Sequence, residues 1–108
     1  MASLGRMELV RIGLAGPGEK GKMVAEFRVS DRRRTVRFGA PGYGDFPTYY
    51  RQDPAMAAKK QAAYLARHRV REDWSDPMAA GTLARYILWN KPTVEASVRD
   101  YKARFGFR

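Results

Sequence analysis

The chain has 108 residues with no cysteine and one histidine, His68, which excludes disulfides, thiolate nucleophiles and cysteine-built zinc sites. Its 21 Lys and Arg against 11 Asp and Glu leave a net charge of +10, a field that attracts nucleic acid or an acidic protein surface. A hydrophobic fraction of 44% supports one core, and the length leaves no room for a second domain. The opening MASLGRMELVR lacks a signal-peptide core, and no apolar run is long enough to span a membrane. An intracellular protein with no membrane partner is expected.

From residue 7 the segment MELVRIGLA alternates, with Val10, Ile12 and Leu14 on one side and Leu9, Arg11 and Gly13 on the other. That is the period of a strand. A glycine and proline loop ends it, and KMVAEFRV alternates again, placing Met23, Ala25, Phe27 and Val29 together. Ser30 to Arg34 reads as a polar hairpin tip, and Thr35 opens a third strand with Val36 and Phe38 inward. These signals predict a three-stranded antiparallel meander over residues 7–40.

The loop RFGAPGYGDF comes next. Its glycines do not match a phosphate-binding loop, which needs Lys followed by Ser or Thr at a helix start, nor a dinucleotide fingerprint inside a βαβ unit. With Pro41 and Pro47 fixing φ, residues 41–52 read as a stiff Gly/Pro/Tyr linker between sheet and helices.

The helical part spans 53–105. Asp53-Pro54 is a cap and first-turn pair, and in the helix it opens Ala58, Ala62, Leu65 and Ala66 form the packing side, with Lys60, Tyr64, Arg67 and Arg71 opposite. Asp76-Pro77 repeats the start signal before MAAGTLARYILW, apolar nearly all round. Such a helix belongs at the centre of the core, and in so small a domain a homodimer is one way to cover it. Thr93 caps a last helix with Val94, Val98, Tyr101 and Phe105 on one face. The expected architecture is α+β, the meander packed on two to three C-terminal helices.

The candidate binding residues are basic and aromatic. From Tyr50 to Arg71 the chain carries Arg51, Lys59, Lys60, Arg67, Arg69 and Arg71 against one acid, Asp53, together with Tyr50 and Tyr64. Guanidinium and ammonium groups neutralise phosphates, and tyrosine rings stack on bases. Arg32, Arg33, Arg34 and Arg37 add a second basic group at the hairpin. The alternative for both is a solvated surface with the tyrosines partly in the core. His68 and Glu72 have the spacing of an acid-base pair and equally that of a helix-surface contact. Trp74 reads as a lid between helices or as an interface anchor. No nucleophile, carboxylate pair or metal-ligand spacing stands out, so neither catalytic residue, metal nor cofactor is expected.

Taken together, the FG-x-x-GY-x-D-[FY] loop, the YL-x-RH segment, Glu72-Asp73-Trp74 and the AG-x-x-x-R-x-ILWNKPT block resemble an uncharacterised family of small basic proteins encoded by large double-stranded DNA viruses of algae and amoebae. The resemblance covers residues 35–105. In that family a histidine commonly follows the loop within T-x-H-x-D; here Thr48 to Asp53 has tyrosine instead, and the run from Asp53 to Tyr64 is about one helical turn longer. The resemblance implies a viral setting, in the host cytoplasm or nucleus or in the virion, and no mechanism. The expected function is a non-enzymatic viral accessory protein that binds nucleic acid through phosphates with little sequence specificity. The alternatives are a minor virion protein docked on an acidic capsid or scaffold partner, and a small nuclease-like enzyme using His68.

Overall fold

Strands β1 (Met7–Leu14), β2 (Met23–Val29) and β3 (Arg32–Phe38) pair antiparallel in the order β1-β2-β3 in a computed structural model that describes residues 7–18 and 20–108. The meander is therefore as expected, with two local differences. Leu9 pairs with Phe27 and Arg11 with Glu26, which leaves Val10 as an extra residue in a β-bulge. The insertion breaks strict alternation: Leu9 and Ile12 both pack against the core, and Val10 is exposed. Leu14, at the strand's end, is exposed too. At the other hairpin Val29 pairs directly with Arg32, so the turn is only Ser30-Asp31, with Ser30 at a φ of 59°. Arg32, Arg33 and Arg34 thus belong to β3 and not to the turn.

One face of the sheet supplies Met23, Ala25, Phe27 and Phe38 to the core. On the other, Glu26 binds Arg11 and Arg33 at 3.0 and 3.1 Å.

The presumed linker at 41–52 is half helical, because α1 runs Phe46–Gln52. The Asp45 carboxylate accepts from the Thr48 N–H at 3.0 Å, and Pro47 in the first turn has no N–H to leave unsatisfied. Asp53 alone joins α1 to α2 (Pro54–His68). Its N–H bonds Tyr49 O while its carboxylate accepts from Ala55 and Met56.

The faces of α2 differ from the expectation at the alanines and at Tyr64, while Lys60, Arg67 and Arg71 are exposed and Leu65 is half-buried as expected. Ala58, Ala62 and Ala66 are exposed, whereas Ala57 and Tyr64 are buried and Gln61 is half-buried. Alanines favour the helix but remove little area from water, so the larger Tyr64 ring decides which side turns inward.

Asp76-Pro77 forms a turn, with Asp76 accepting from the Met78 N–H, and α3 starts later, at Ala80–Leu83. It continues into a π-helical turn at Ala84–Leu88, closed by Trp89 N–H to Ala84 O at 3.1 Å. Last comes α4 (Val94–Phe105), capped by Thr93 and ended by Gly106 at positive φ. The helical segments come after the sheet in the chain, and Leu83, Ile87, Leu88 and Tyr101 close the core over it. Since Leu83 and Ile87 are fully covered within one chain, the uncovered apolar helix that motivated a homodimer does not exist. Among the described residues no helix is long and apolar enough to cross a membrane.

Gly39 joins β3 to the loop at a φ of +84°, and a Cβ there would sit 2.6 Å from Leu88 Cδ1 and 3.1 Å from Lys22 Cβ. Backbone strain and overpacking add, so Gly39→Ala is predicted to destabilise the fold by about 3 kcal/mol. Urea unfolding checks this: a lower midpoint with an unchanged m-value is expected, and an unchanged midpoint would show that position 39 tolerates a side chain.

Candidate ligand-binding cleft

Antiparallel register brings Lys22, just before β2, beside Gly39, just after β3; the Lys22 N–H bonds the carbonyls of Phe38 and Gly39. The Lys22 ammonium then reaches back to Tyr43 O and to Asp45, 3.1 Å from its carboxylate. Burial alone would push the Asp45 carboxyl up, but the bonds from Thr48 and Lys22 outweigh it and hold the group below its usual value. Asp45 therefore caps α1 and pins the glycine loop with one side chain.

Between this loop, α2 and the α3 to π segment lies a cleft of about 620 Å³. That is the scale of a pocket for one small molecule or one nucleotide. Gly39, Ala40, Tyr43 and Gly44 form the first wall; Lys60, Ala63, Tyr64, Arg67 and His68 the second; Ala80, Gly81, Ala84, Leu88 and Trp89 the third. Lys22, Tyr49 and Glu72 complete the lining.

Lys60, Tyr64 and His68 recur every four residues on α2 and so share one face. The Tyr64 ring is stacked between His68, at 4.1 Å between centroids, and Trp89, at 4.6 Å. Tyr49 meets the Trp89 ring at 6.2 Å, with Lys60 Nζ 4.9 Å above the Tyr49 ring. Gln61 fastens this wall, donating to the carbonyls of Trp89 and Asn90 at 3.1 and 2.9 Å.

Beyond the end of α2 the chain turns back and places Glu72 against His68. His68 Nδ1 lies 2.7 Å from Glu72 Oε2, and the Trp74 indole N–H donates to Glu72 Oε1 at 2.8 Å. Because a carboxylate only accepts, Nδ1 carries the proton between the two side chains, and in the neutral ring Nε2 is then the acceptor. Gly81 makes room for the carboxylate, since a Cβ there would fall 2.4 Å from Glu72 Oε1. Trp74 is half-buried with the Arg85 guanidinium 5.4 Å over its ring, so it braces the site and does not stand free as an anchor. Among the described residues no cluster of three His, Asp or Glu side chains is placed to hold a metal ion.

Of the expected binding residues, Lys60, Tyr64 and Arg67 line the cleft. Tyr64 does so by its edge only, both ring faces being covered, so it has no face left to stack on a base. Lys59, Arg51, Arg69 and Arg71 are exposed outside the cleft, and Tyr50 leans on Phe46 at 5.6 Å between centroids. Arg32, Arg33 and Arg34 lie far down β3 from Phe38, roughly 13 to 20 Å from the cleft end of the sheet at the rise of an extended strand. Arg37 is closer along the strand but on the face opposite Phe38. Sequence reasoning missed Lys22, Tyr43 and Trp89 as lining residues: the register of the sheet brings in Lys22, the turn of the glycine loop Tyr43 and the π turn Trp89.

Compared with protein-family models, curated proteins and solved structures, the chain matches none.

Burial, and after it the charge of Glu72, pushes the Tyr64 phenol up from 10.0 to about 12. The folded state thus holds that proton more tightly than the unfolded chain. Its contribution is complete below pH 10 and is lost as pH rises toward 12, at about 1.4 kcal/mol per pH unit. Stability measured by denaturant between these limits is predicted to fall less steeply in Tyr64→Phe; an identical slope would show that Tyr64 is not the buried proton donor.

Proposed function

We propose that this protein binds single-stranded nucleic acid, seating one nucleotide in the cleft and its flanking phosphates on the surrounding cations. The carrying observation is the convergence of Lys22, Lys60 and Arg67 on a nucleotide-sized cleft in a chain of net charge +10. Its rim carries an exposed aromatic, Tyr43, and its floor is apolar around Ala84 and Leu88. Cations that track a backbone together with rings that meet bases are how sequence-tolerant single-strand binders work. A genome-contacting accessory role in a virus, implied by the sequence resemblance, goes with this reading.

Titrating labelled single-stranded oligonucleotides at several salt concentrations tests it. Three cations on phosphates predict a slope of log K against log salt of about −2. Lys60→Ala and Arg67→Ala should each weaken binding and flatten the slope by about 0.7, whereas Arg32→Ala and Arg34→Ala should change little. Binding governed by the hairpin arginines and indifferent to Lys60 and Arg67 would refute the cleft as the site.

A further inference from the structure

We infer that the cleft is also a catalytic site for cleaving single-stranded RNA, with His68 as the general base and Glu72 as the residue that positions it. The inference rests on the binding reading above and deepens it by naming the substrate.

The observation behind it is the Trp74–Glu72–His68 chain. A solubilising surface pair needs no further support, yet here both carboxylate oxygens of Glu72 are engaged, one by His68 and one by Trp74, and the carboxylate lies against a glycine that no larger residue could replace without moving it. Such an arrangement fixes the imidazole's tautomer and orientation. The Tyr64 ring stacked on His68 restricts it from the side. His68 borders the cleft next to Arg67, so a base and a phosphate-binding cation are adjacent where the ligand would lie.

In RNA the nucleophile is already present in the substrate. His68 Nε2 takes the proton of a 2′-hydroxyl, and the oxygen attacks the neighbouring phosphorus. A bond forms between O2′ and phosphorus, and the bond between phosphorus and O5′ breaks, the electron pair leaving on O5′. That oxygen takes a proton from solvent water, and the protonated His68 returns its own proton to the hydroxide left behind. The products are a 2′,3′-cyclic phosphate and a 5′-hydroxyl end, with no other reactant. Arg67 offsets the charge that builds on the equatorial phosphate oxygens. DNA, lacking the hydroxyl, binds without being cut.

The full chain is incubated with a single-stranded RNA oligonucleotide and with DNA of the same sequence, in the presence of a chelator, and the product ends are identified. Cut RNA with 2′,3′-cyclic phosphate ends beside intact, bound DNA is expected. His68→Gln should lower kcat by about 100-fold while still binding the DNA. Glu72→Gln should lower kcat with KM unchanged, and so should Gly81→Ala, which removes no polar group and by helix propensity alone favours the fold. If wild type binds RNA but leaves it whole, or if His68→Gln cuts it equally fast, the catalytic inference is wrong and the binding reading stands. If neither RNA nor DNA binds, both fall. Should His68→Gln fail to fold, the contrast between RNA and DNA and the Glu72→Gln rate still decide.

Discussion

One extra residue in the turn from Ala84 to Leu88 determines where the cleft wall stands. An α-helical turn would close with an N–H four residues on; here Trp89 closes on Ala84, which rotates the downstream residues by about 100° relative to an uninterrupted helix. Leu88 thereby stays in the core while Trp89 stacks on Tyr64. The carbonyl of Trp89 is satisfied from two sides, by Gln61 and by Arg85 at 3.1 Å each. Asn90 completes the exit, donating to Tyr86 O and to Asp100 at 3.1 and 2.8 Å, which ties the turn to α4. A π turn leaves carbonyls poorly aligned for intrahelical bonds, and these side chains supply the missing donors.

The cleft's cations divide into two kinds. Lys22 is held by Asp45 and Tyr43 O, and its task is to fix the loop as much as to attract an anion. Lys60 lies over the Tyr49 ring, and Arg67 is exposed on the adjoining side of α2. Elsewhere the positive charge is partly matched: Glu26 holds Arg11 and Arg33, and Asp100 holds Arg104 at 3.2 Å. Bonds from Asn90 and Arg104 keep the Asp100 carboxyl low against slight desolvation. Net charge supplies attraction at a distance; the cleft supplies a place for it to act.

The sheet was legible because alternation is a local signal; it failed at Val10, where a bulge inserted one residue, at Leu14, exposed at the strand's end, and at Arg32 to Arg34, which pair in β3 and leave a two-residue turn. The caps at Asp53 and Thr93 were legible for the same reason, each lying within three residues of the N–H it satisfies. The Asp45 cap and Pro47 carried an equally local signal for α1, hidden by the glycines before it and the paired tyrosines after it. The orientation of α2 was legible for the exposed Lys60, Arg67 and Arg71 but not for its inward side, since a count of alanines suggested a packing face while Tyr64 and Gln61 answered to Trp89 and Asn90 in another element. Nothing local marks the π turn either: the side chains of Ala84, Arg85 and Ile87 fit an α-helix equally well. His68 and Glu72 were visible as a pair, but Trp74 and Gly81, which turn the pair into an oriented one, reach it through the fold.

Ligand binding in the cleft can be located without altering a residue, by mapping amide and indole shifts with NMR while a short single-stranded oligonucleotide is added. If the nucleotide seats there, the Trp89 indole and the amides of Tyr43, Lys60 and His68 move together and saturate at one concentration, with Arg32 to Arg34 unmoved. Shifts confined to the Ser30 hairpin, with Trp89 still, would contradict a cleft-bound nucleotide.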